Sequence, residues 1–347
     1  MKNDEVSLAI ERLRRSRDLG VQWLLRHIGS DGEPAGARER NGWARIPWAL
    51  AVAGESSAAS SVLAWAERAA LTSDGCFRPG PAQGNGRFPA YPMAHLAIGS
   101  WLLERYDTAM SLMDGLRKLQ YPQSGGFRVS ASPQEHEAKL CDLLSTAQAG
   151  IAGLMTRQND IVEGAHRWVL ALHASQPALP QRLYSFCNGN ELLTSPAQNL
   201  KWLAVTEFDQ PRQSFYTPGI AAVFLAGWAT QRQDQQALAL GHEFLQLNRG
   251  GISAQFEDAE SVQICKFGWG VAAMAMADAR VDQTPDLLRM AEWFPAHQDE
   301  DGAWGLSTFL MPKSGVIEKM SKTAEHVMEV NAMLAALGTV LARRAVA

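Results

Sequence analysis

One sentence of residue types recurs six times along the chain and restricts the fold more than any other feature. An amphipathic segment is followed by a Gly-containing loop, often ending in an aromatic, and then by a more apolar segment. The amphipathic members cover about residues 5–28, 56–71, 107–120, 159–174, 234–247 and 284–297, with Arg, Glu, Asp and Gln along one face. Their partners cover about 42–53, 91–104, 139–155, 216–231, 261–278 and 322–344, where Ala, Gly, Leu, Val and Met dominate. The first pattern is that of a helix with one solvated face, and the second is that of a helix touching protein on both flanks. Between them lie glycine turns that reverse the chain: SDGEP (Ser30 to Pro34), SDGCF (Ser73 to Phe77), QYPQSGGF (Gln120 to Phe127), NRGGISAQF (Asn248 to Phe256) and QDEDGAWG (Gln298 to Gly305).

Six outer and six inner helices in alternation imply an all-α fold, an (α/α)6 toroid of six hairpins forming a single domain over residues 1–347. An open superhelix is the alternative, but its repeats keep a nearly constant period, and these loops are long and unequal. The fourth connection differs. RLYSFCNGNELLTS, from Arg182, places Asn-Gly-Asn between alternating runs and predicts a β-hairpin insertion around 182–209, with KWLAVTEF (Lys201 to Phe208) as a further strand.

Composition excludes several classes of function. The net charge is −4 and the 32 basic residues form no long block, so nucleic acid is not an expected partner. No apolar run approaches the roughly 20 residues required to cross a bilayer. Four cysteines stand far apart without a CxxC pair, and the first helix is charged and amphipathic. A cytoplasmic location is therefore expected. Oligomeric state is not encoded in any of these features.

The stretch Lys139 to Met155 reads as an inner helix whose first turn carries Cys141, Asp142 and Ser145. Polar groups on a helix buried on all sides require a cavity or hydrogen-bonded partners beside them. If the other inner helices join it in a ring, their N-termini converge on one site.

Several of those N-termini resemble a known family. Gln298, Gly302 and Trp304 fit the Gln…Gly-x-Trp signature of the terpenoid cyclase and protein prenyltransferase α/α-toroid superfamily, and Gln120 with Gly125, Gly126 and Phe127 is a weaker copy. Pro47-Trp48 resembles the family's opening of the first inner helix, and Tyr91-Pro92 with His95-Leu96-Ala97 its opening of the second. Asp142 to Ala147 is similar both to the Asp-x-Arg-Ser of prenyltransferases and to the acidic motif of class II cyclases. Cys265, Trp269 and His326 resemble the family's zinc Cys, pocket Trp and zinc His. The similarity spans most of the chain in short pieces.

The departures narrow what the resemblance implies. Leu144 stands where a class II cyclase has its protonating Asp, and Gln263 stands where a prenyltransferase has its third zinc ligand. The loop before Cys265 carries Glu257, Asp258 and Glu260, which repel a diphosphate, and no DDxxD cluster is present to hold magnesium. No cofactor is expected; zinc on Cys265 and His326 is the alternative, with only two of its ligands in place.

The candidate catalytic residues are Asp142, His326, Glu329 and His95. Asp142 is a general base, a partner fixing a neighbour's protonation, or an ordinary helix cap. His326 and Glu329 lie on adjacent turns of one helix, a spacing suited to an acid or base near neutral pH, while a satisfied core histidine is the bland reading. Candidate substrate contacts are Trp43, Arg45, Trp48, Tyr91, Cys141, Ser145, Tyr216, Cys265 and Trp269, with aromatics shaping an apolar cavity and stabilising cationic character. Arg45 and Lys266, near the same openings, meet a substrate carboxylate or carbonyl, or in the case of Lys266 remain solvated. Cys187-Asn188 is a lid or a nucleophile pair, or simply an Asn-Gly turn.

The leading expectation is an enzyme enclosing a hydrophobic isoprenoid-like, polyene or polyketide-like substrate and catalysing acid–base isomerisation, cyclisation or elimination. A carbohydrate-active hydrolase or lyase of (α/α)6 type is the second, requiring paired carboxylates such as Asp142 and Glu329. A non-catalytic lipid-binding or scaffold protein is the third.

Overall fold

A computed structural model describes residues 3–80, 86–130, 138–258, 261, 264–305 and 313–346. Glu260 and Gln263 lie outside the described residues.

The six hairpins form as the alternation requires. The outer helices are α1 (Asn3–Arg26), α3 (Ser56–Ala69), α5 (Tyr106–Leu119), α7 (Asn159–Ala174), α10 (Gln235–Gly250) and α13 (Thr284–Ala296). The inner helices are α2 (Ile46–Val52, entered through a 3-10 turn at Asn41–Arg45), α4 (Ala90–Leu102), α6 (Leu143–Thr156), α9 (Thr217–Arg232), α12 (Cys265–Ala277) and α14 (Val316–Val346). Each inner helix packs on the next, and α14 packs on both α12 and α2, so the inner ring closes. α1 packs on α13 and α14 and completes the outer layer. The architecture is an (α/α)6 toroid rather than an open superhelix.

Local chemistry sets the helix limits. Asp4 and Glu5 lie in the first turn of α1 and Arg26 in its last, in the sense that complements the helix dipole. Asp234 caps α10 by accepting from the backbone N–H groups of Gln236 and Ala237 at 2.9 and 3.0 Å. The outer helix α5 buries only Ala109, Leu112, Met113, Gly115 and Leu116, whereas α6 buries nearly every position from Leu143 to Leu154. Two inner helices approach closely because Gly219 of α9 lies against the Lys266 carbonyl of α12, where a Cβ would fall 2.1 Å from the oxygen.

The Gln…Gly-x-aromatic loops tie neighbouring hairpins together. Gln298 Nε2 donates to the carbonyls of Gly302 and of Ser16 in α1, both at 2.8 Å, and the Ser16 hydroxyl donates back to Oε1 at 2.7 Å. Gln120 does the same in the third hairpin, donating to Gly125 at 2.9 Å and to Ile161 of α7 at 3.1 Å. The aromatics that follow also match: the backbone N–H groups of Phe127 and Trp304 donate to the hydroxyls of Thr146 and Thr323, 2.9 and 3.0 Å away on the adjacent inner helices. Gly75 shows why these turns need glycine: its φ is +77° and a Cβ there would lie 1.8 Å from the Ser111 carbonyl oxygen of α5.

The segment read as helix from Lys139 is instead a strand at its start. β2 (Leu140–Asp142) pairs antiparallel with β1 (Phe127–Arg128) and with β4 (Phe186–Asn188), and α6 begins only at Leu143. Asp142 is extended, with φ −130° and ψ 155°, and caps the helix from the strand end. β4 continues through Gly189, at φ +65°, into β5 (Glu191–Leu192), forming the hairpin that Asn-Gly-Asn predicts. The following stretch only half matches the expected strand: α8 (Gln198–Ala204) takes up Lys201 to Ala204, and β6 (Val205–Glu207) pairs with β3 (Arg182–Tyr184). No helix among the described residues is long and apolar enough to cross a membrane.

Candidate functional site

The first turns of the inner helices meet at one end of the ring. Trp48 of α2 lies 5.6 Å from the His95 ring of α4 and 5.8 Å from the Trp269 ring of α12. Tyr91 of α4 lies 4.5 Å from His95 and donates its hydroxyl to Glu325 Oε1 of α14 at 3.1 Å. Lys266 of α12 places its ammonium 5.8 Å from the Tyr91 ring centre and 5.5 Å from that of Tyr216, the residue preceding α9. Tyr216 in turn feels the charge of Asp142 at the head of α6. All six inner helices therefore contribute to one cluster.

Its hub is Glu325, the residue before His326 on α14. Lys266 bonds its Oε1, Lys322 Nζ donates to Oε2 at 2.7 Å, and an Arg45 guanidinium nitrogen lies 3.8 Å from Oε1. Lys266 is 4% exposed and Lys322 8%, so neither ammonium is a solvated surface group. Burial opposes ionisation of Glu325, but Lys266, Lys322 and Arg45 outweigh it and hold the carboxyl well below the usual range. Burial likewise works against the charge on Lys266, and Glu325 keeps its pKa well above the ordinary lysine value. Arg45 also bonds the Ser321 hydroxyl and stacks its guanidinium 4.9 Å over Tyr91.

Two other carboxyls sit where water does not reach. Glu329 is fully buried, 3.9 Å from Lys266 Nζ and 3.8 Å from His326 Nδ1; burial pushes its pKa up to about 7, with Lys266 tempering the rise. Asp142 is raised to about 6 by burial, tempered by hydrogen bonds from Ser145, whose backbone N–H lies 2.8 Å from Oδ1. Its Oδ2 has no hydrogen-bond partner among the described residues. Gln148, further along α6, is fully buried, and both atoms of its amide lack a partner among the described residues. Neither Lys322 nor Gln148 stood out in the sequence, although Lys322 and Glu325, three apart on one helix, carried the spacing of an ion pair.

The remaining candidates separate by direction. His95 bonds the Tyr91 carbonyl through Nδ1 at 2.8 Å, and burial, with repulsion from Arg45, keeps the ring neutral; Nε2 is its free nitrogen among the described contacts. His326 is fully buried against Phe294 at 5.1 Å, Trp304 at 5.3 Å and Trp293 at 5.9 Å, so its ring lies within the wall between α14 and α13. Burial, with repulsion from Lys322, keeps it neutral as well. Trp43, expected among the substrate contacts, packs outward against Trp65 at 5.2 Å and Phe77 at 5.5 Å, because the 3-10 turn before α2 rolls it towards α3. It is a core residue of the wall. Cys141 lies in strand β2 rather than in a helical turn, opposite Cys187, and burial raises both thiols to about 12. A thiol held so high is a poor nucleophile, which leaves Cys187 and Asn188 as part of the hairpin.

Zinc was tested against the donor set. Single donor atoms of Cys265, Glu325 and His326 fall within 4.8 Å of one another. The Lys322 ammonium lies 3.6 Å from Cys265 Sγ and bonds Glu325, so a positive group already stands among those donors. Burial raises the Cys265 thiol to about 12, and the nearby Glu329 adds to the rise. An ammonium standing among the donors repels a divalent cation, so the donor set as arranged does not suit zinc.

No family model matches the chain, and no curated protein does. Solved structures do match. An inactive variant of the α-1,6-mannanase GH76A of Salegentibacter sp. HEL1_6, in complex with α-1,6-mannotetrose, aligns at 13% identity and TM-score 0.62 over 93% of this chain and 99% of that one. The Lin0763 protein from Listeria innocua aligns at 11% identity and TM-score 0.61, covering 94% and 98%. A variant of the type II terpene cyclase MstE from Scytonema, in complex with its substrate geranylgeranyl dihydroxybenzoate, aligns at 11% identity and TM-score 0.58, covering 96% and 99%. The chain shares its (α/α)6 toroid with terpenoid cyclases and glycoside hydrolases alike, and its neighbours of known activity are enzymes.

Proposed function

We propose that the protein is an enzyme that encloses a hydrophobic substrate at the mouth and centre of the ring and isomerises, cyclises or eliminates by acid–base chemistry. One observation carries this reading: two buried carboxyls, Asp142 at about 6 and Glu329 at about 7, stand at the end of the ring walled by Trp48, Tyr91, Tyr216 and Trp269. A pKa near the working pH is what a proton donor or acceptor requires. Asp142, largely ionised at neutral pH, takes the role of base, and Glu329, which retains its proton longer, the role of acid. His95 offers a neutral Nε2 as a second acceptor, and His326 positions Glu329 from inside the wall. Cys141, Ser145 and Cys265 support this end of the ring. The aromatic faces stabilise developing positive charge, and an isoprenoid or a polyene or polyketide-derived chain fits the same chemistry. The setting is cytoplasmic.

Support from comparison is shared. The cyclase neighbour holds geranylgeranyl dihydroxybenzoate, an apolar chain on an acid, and carries a single aspartate-to-asparagine change. A second reading, a glycoside hydrolase, draws on the mannanase, whose inactive variants change two consecutive aspartates. This chain contains no Asp-Asp pair, and Asp142 is followed by Leu143, which favours the apolar substrate.

The test is turnover of a panel of linear isoprenoid and polyene acids and alcohols, followed by mass spectrometry for products of unchanged mass or of mass less water. Asp142→Asn and Glu329→Gln, checked for intact folding by circular dichroism, are expected to lose at least about a hundredfold in kcat/KM. Full turnover by both variants would end the assignment. Release of sugar from α-1,6-mannan by the wild type would move it to the second reading.

A further inference from the structure

The charge census at the mouth of the ring does not balance. Arg45, Lys266 and Lys322 come from three different inner helices, and all three are held beside one ionised carboxylate, Glu325. Even with Glu329, the other carboxyl in contact, fully ionised, three cations face two carboxylates, so among the described residues the cluster carries an excess of positive charge. An uncompensated buried charge costs several kcal/mol, and such an excess is stable only if an anion completes it or if the rest of the fold sustains the strain.

Arg45 carries part of the excess to open space, while Lys266 and Lys322 stand buried behind it against Glu325. Arg45 Nε is buried and has no hydrogen-bond partner among the described residues. Its guanidinium lines a recess of about 190 Å³ with Arg40, Asn41, Gly42, Tyr91 and Ser321. Glu318 at the rim pairs with Arg40 at 3.2 Å, so Arg40 does not add to the excess. The volume suits a small head group, since one water takes about 30 Å³. On the other side of Tyr91 the aromatic wall of His95, Trp48 and Trp269 begins, so the recess and that wall meet at one residue.

We infer that the substrate is a hydrophobic chain ending in a carboxylate, and that this carboxylate docks in the recess on Arg45 beside Tyr91, drawn there by the positive charge of Lys266 and Lys322 behind it. The inference rests on the proposed function and names its substrate class. A single negative charge offsets the excess that remains even when Glu329 is ionised, and a planar carboxylate in the recess can accept from the Arg45 guanidinium. With the acid end fixed, the chain extends along Trp48 and Trp269.

The experiment uses the full chain and three ligands with one hydrocarbon tail: farnesoic acid, farnesol and farnesyl monophosphate, titrated calorimetrically at pH 7.5. The acid is expected to bind at least about tenfold tighter than the alcohol, the margin one charge-assisted contact supplies. Lys322→Gln and, separately, Arg45→Gln are expected to shrink that margin below about threefold. The wild-type comparison decides the matter even if a variant does not fold. Equal affinity for acid and alcohol would overturn the carboxylate and leave the apolar-substrate reading standing. A phosphate preferred over the acid by about tenfold would overturn it in favour of a phosphorylated substrate. Binding of none of the three would overturn both this inference and the apolar-substrate reading beneath it.

Discussion

Gln298 and Ser16, 282 residues apart, hold each other by two hydrogen bonds of 2.7 and 2.8 Å, one in each direction. Through this pair the last connecting loop grips the first helix, and the ring is fastened where chain connectivity cannot fasten it. Gln298→Ala removes both bonds and the one to Gly302, leaving carbonyls without donors. The expected loss is about 2–4 kcal/mol in urea denaturation. Gln120→Ala, at the corresponding contact between neighbouring hairpins, is expected to cost less because the chain there is already continuous.

Glu325 is the counter-ion to three buried cations. Glu325→Gln keeps the shape and removes the charge, so Lys266, Lys322 and Arg45 repel one another without compensation. The expected destabilisation is about 3–5 kcal/mol at pH 7, measured by chemical denaturation. Added hydrophobic carboxylate is expected to restore part of it.

Asp142 links stability to pH. Its carboxyl is held at about 6 in the fold against 3.8 as the ordinary value, so the folded state binds the proton more tightly. Stability from this group is complete below the unfolded pKa and falls as pH rises from about 4 to about 6, a loss of about 3 kcal/mol. Asp142→Asn keeps a helix cap and cannot ionise. The difference in unfolding free energy between variant and wild type is therefore expected to move about 2–3 kcal/mol in favour of the variant between pH 4 and pH 7.5.

Gln148 buries an amide that no described group satisfies. Gln148→Leu removes the unpaired atoms at similar volume, and the ligand-free protein is expected to be unchanged or up to about 2 kcal/mol more stable. If the amide serves the substrate, KM rises in the same variant. A drop in stability with KM unchanged would make it a structural residue.

Lys322 places an ammonium between Cys265 and Glu325. Chelator treatment of the wild type is expected to leave its melting temperature unchanged. Lys322→Ala withdraws the ammonium, and the variant is expected to take up cobalt, read from thiolate-to-metal absorbance, where the wild type takes up none.

Much of this architecture was legible before any coordinates. Alternating helix types, glycine turns and the Gln…Gly-x-Trp loops fixed the number of hairpins and the two layers, because each records a local requirement: a solvated face, a positive φ, a side-chain amide reaching the next helix. The gathering of Tyr91, His95, Asp142, Tyr216, Lys266 and Trp269 at one end also followed, since polar first turns on buried helices leave few other arrangements. The strand at Leu140–Asp142 was not legible, because its hydrogen bonds go to Phe127–Arg128 and Phe186–Asn188, far along the chain.

By itself, then, the sequence determined the alternation of helices, their order and the end of each that carries chemistry. The tertiary structure alone decided the roll of each inner helix: Trp43 outward, His326 into the wall, Glu325 to the hub of three cations. An inner helix is apolar on nearly every side, so its pattern contains no preferred face, and only packing against both neighbours selects which residue reaches the centre.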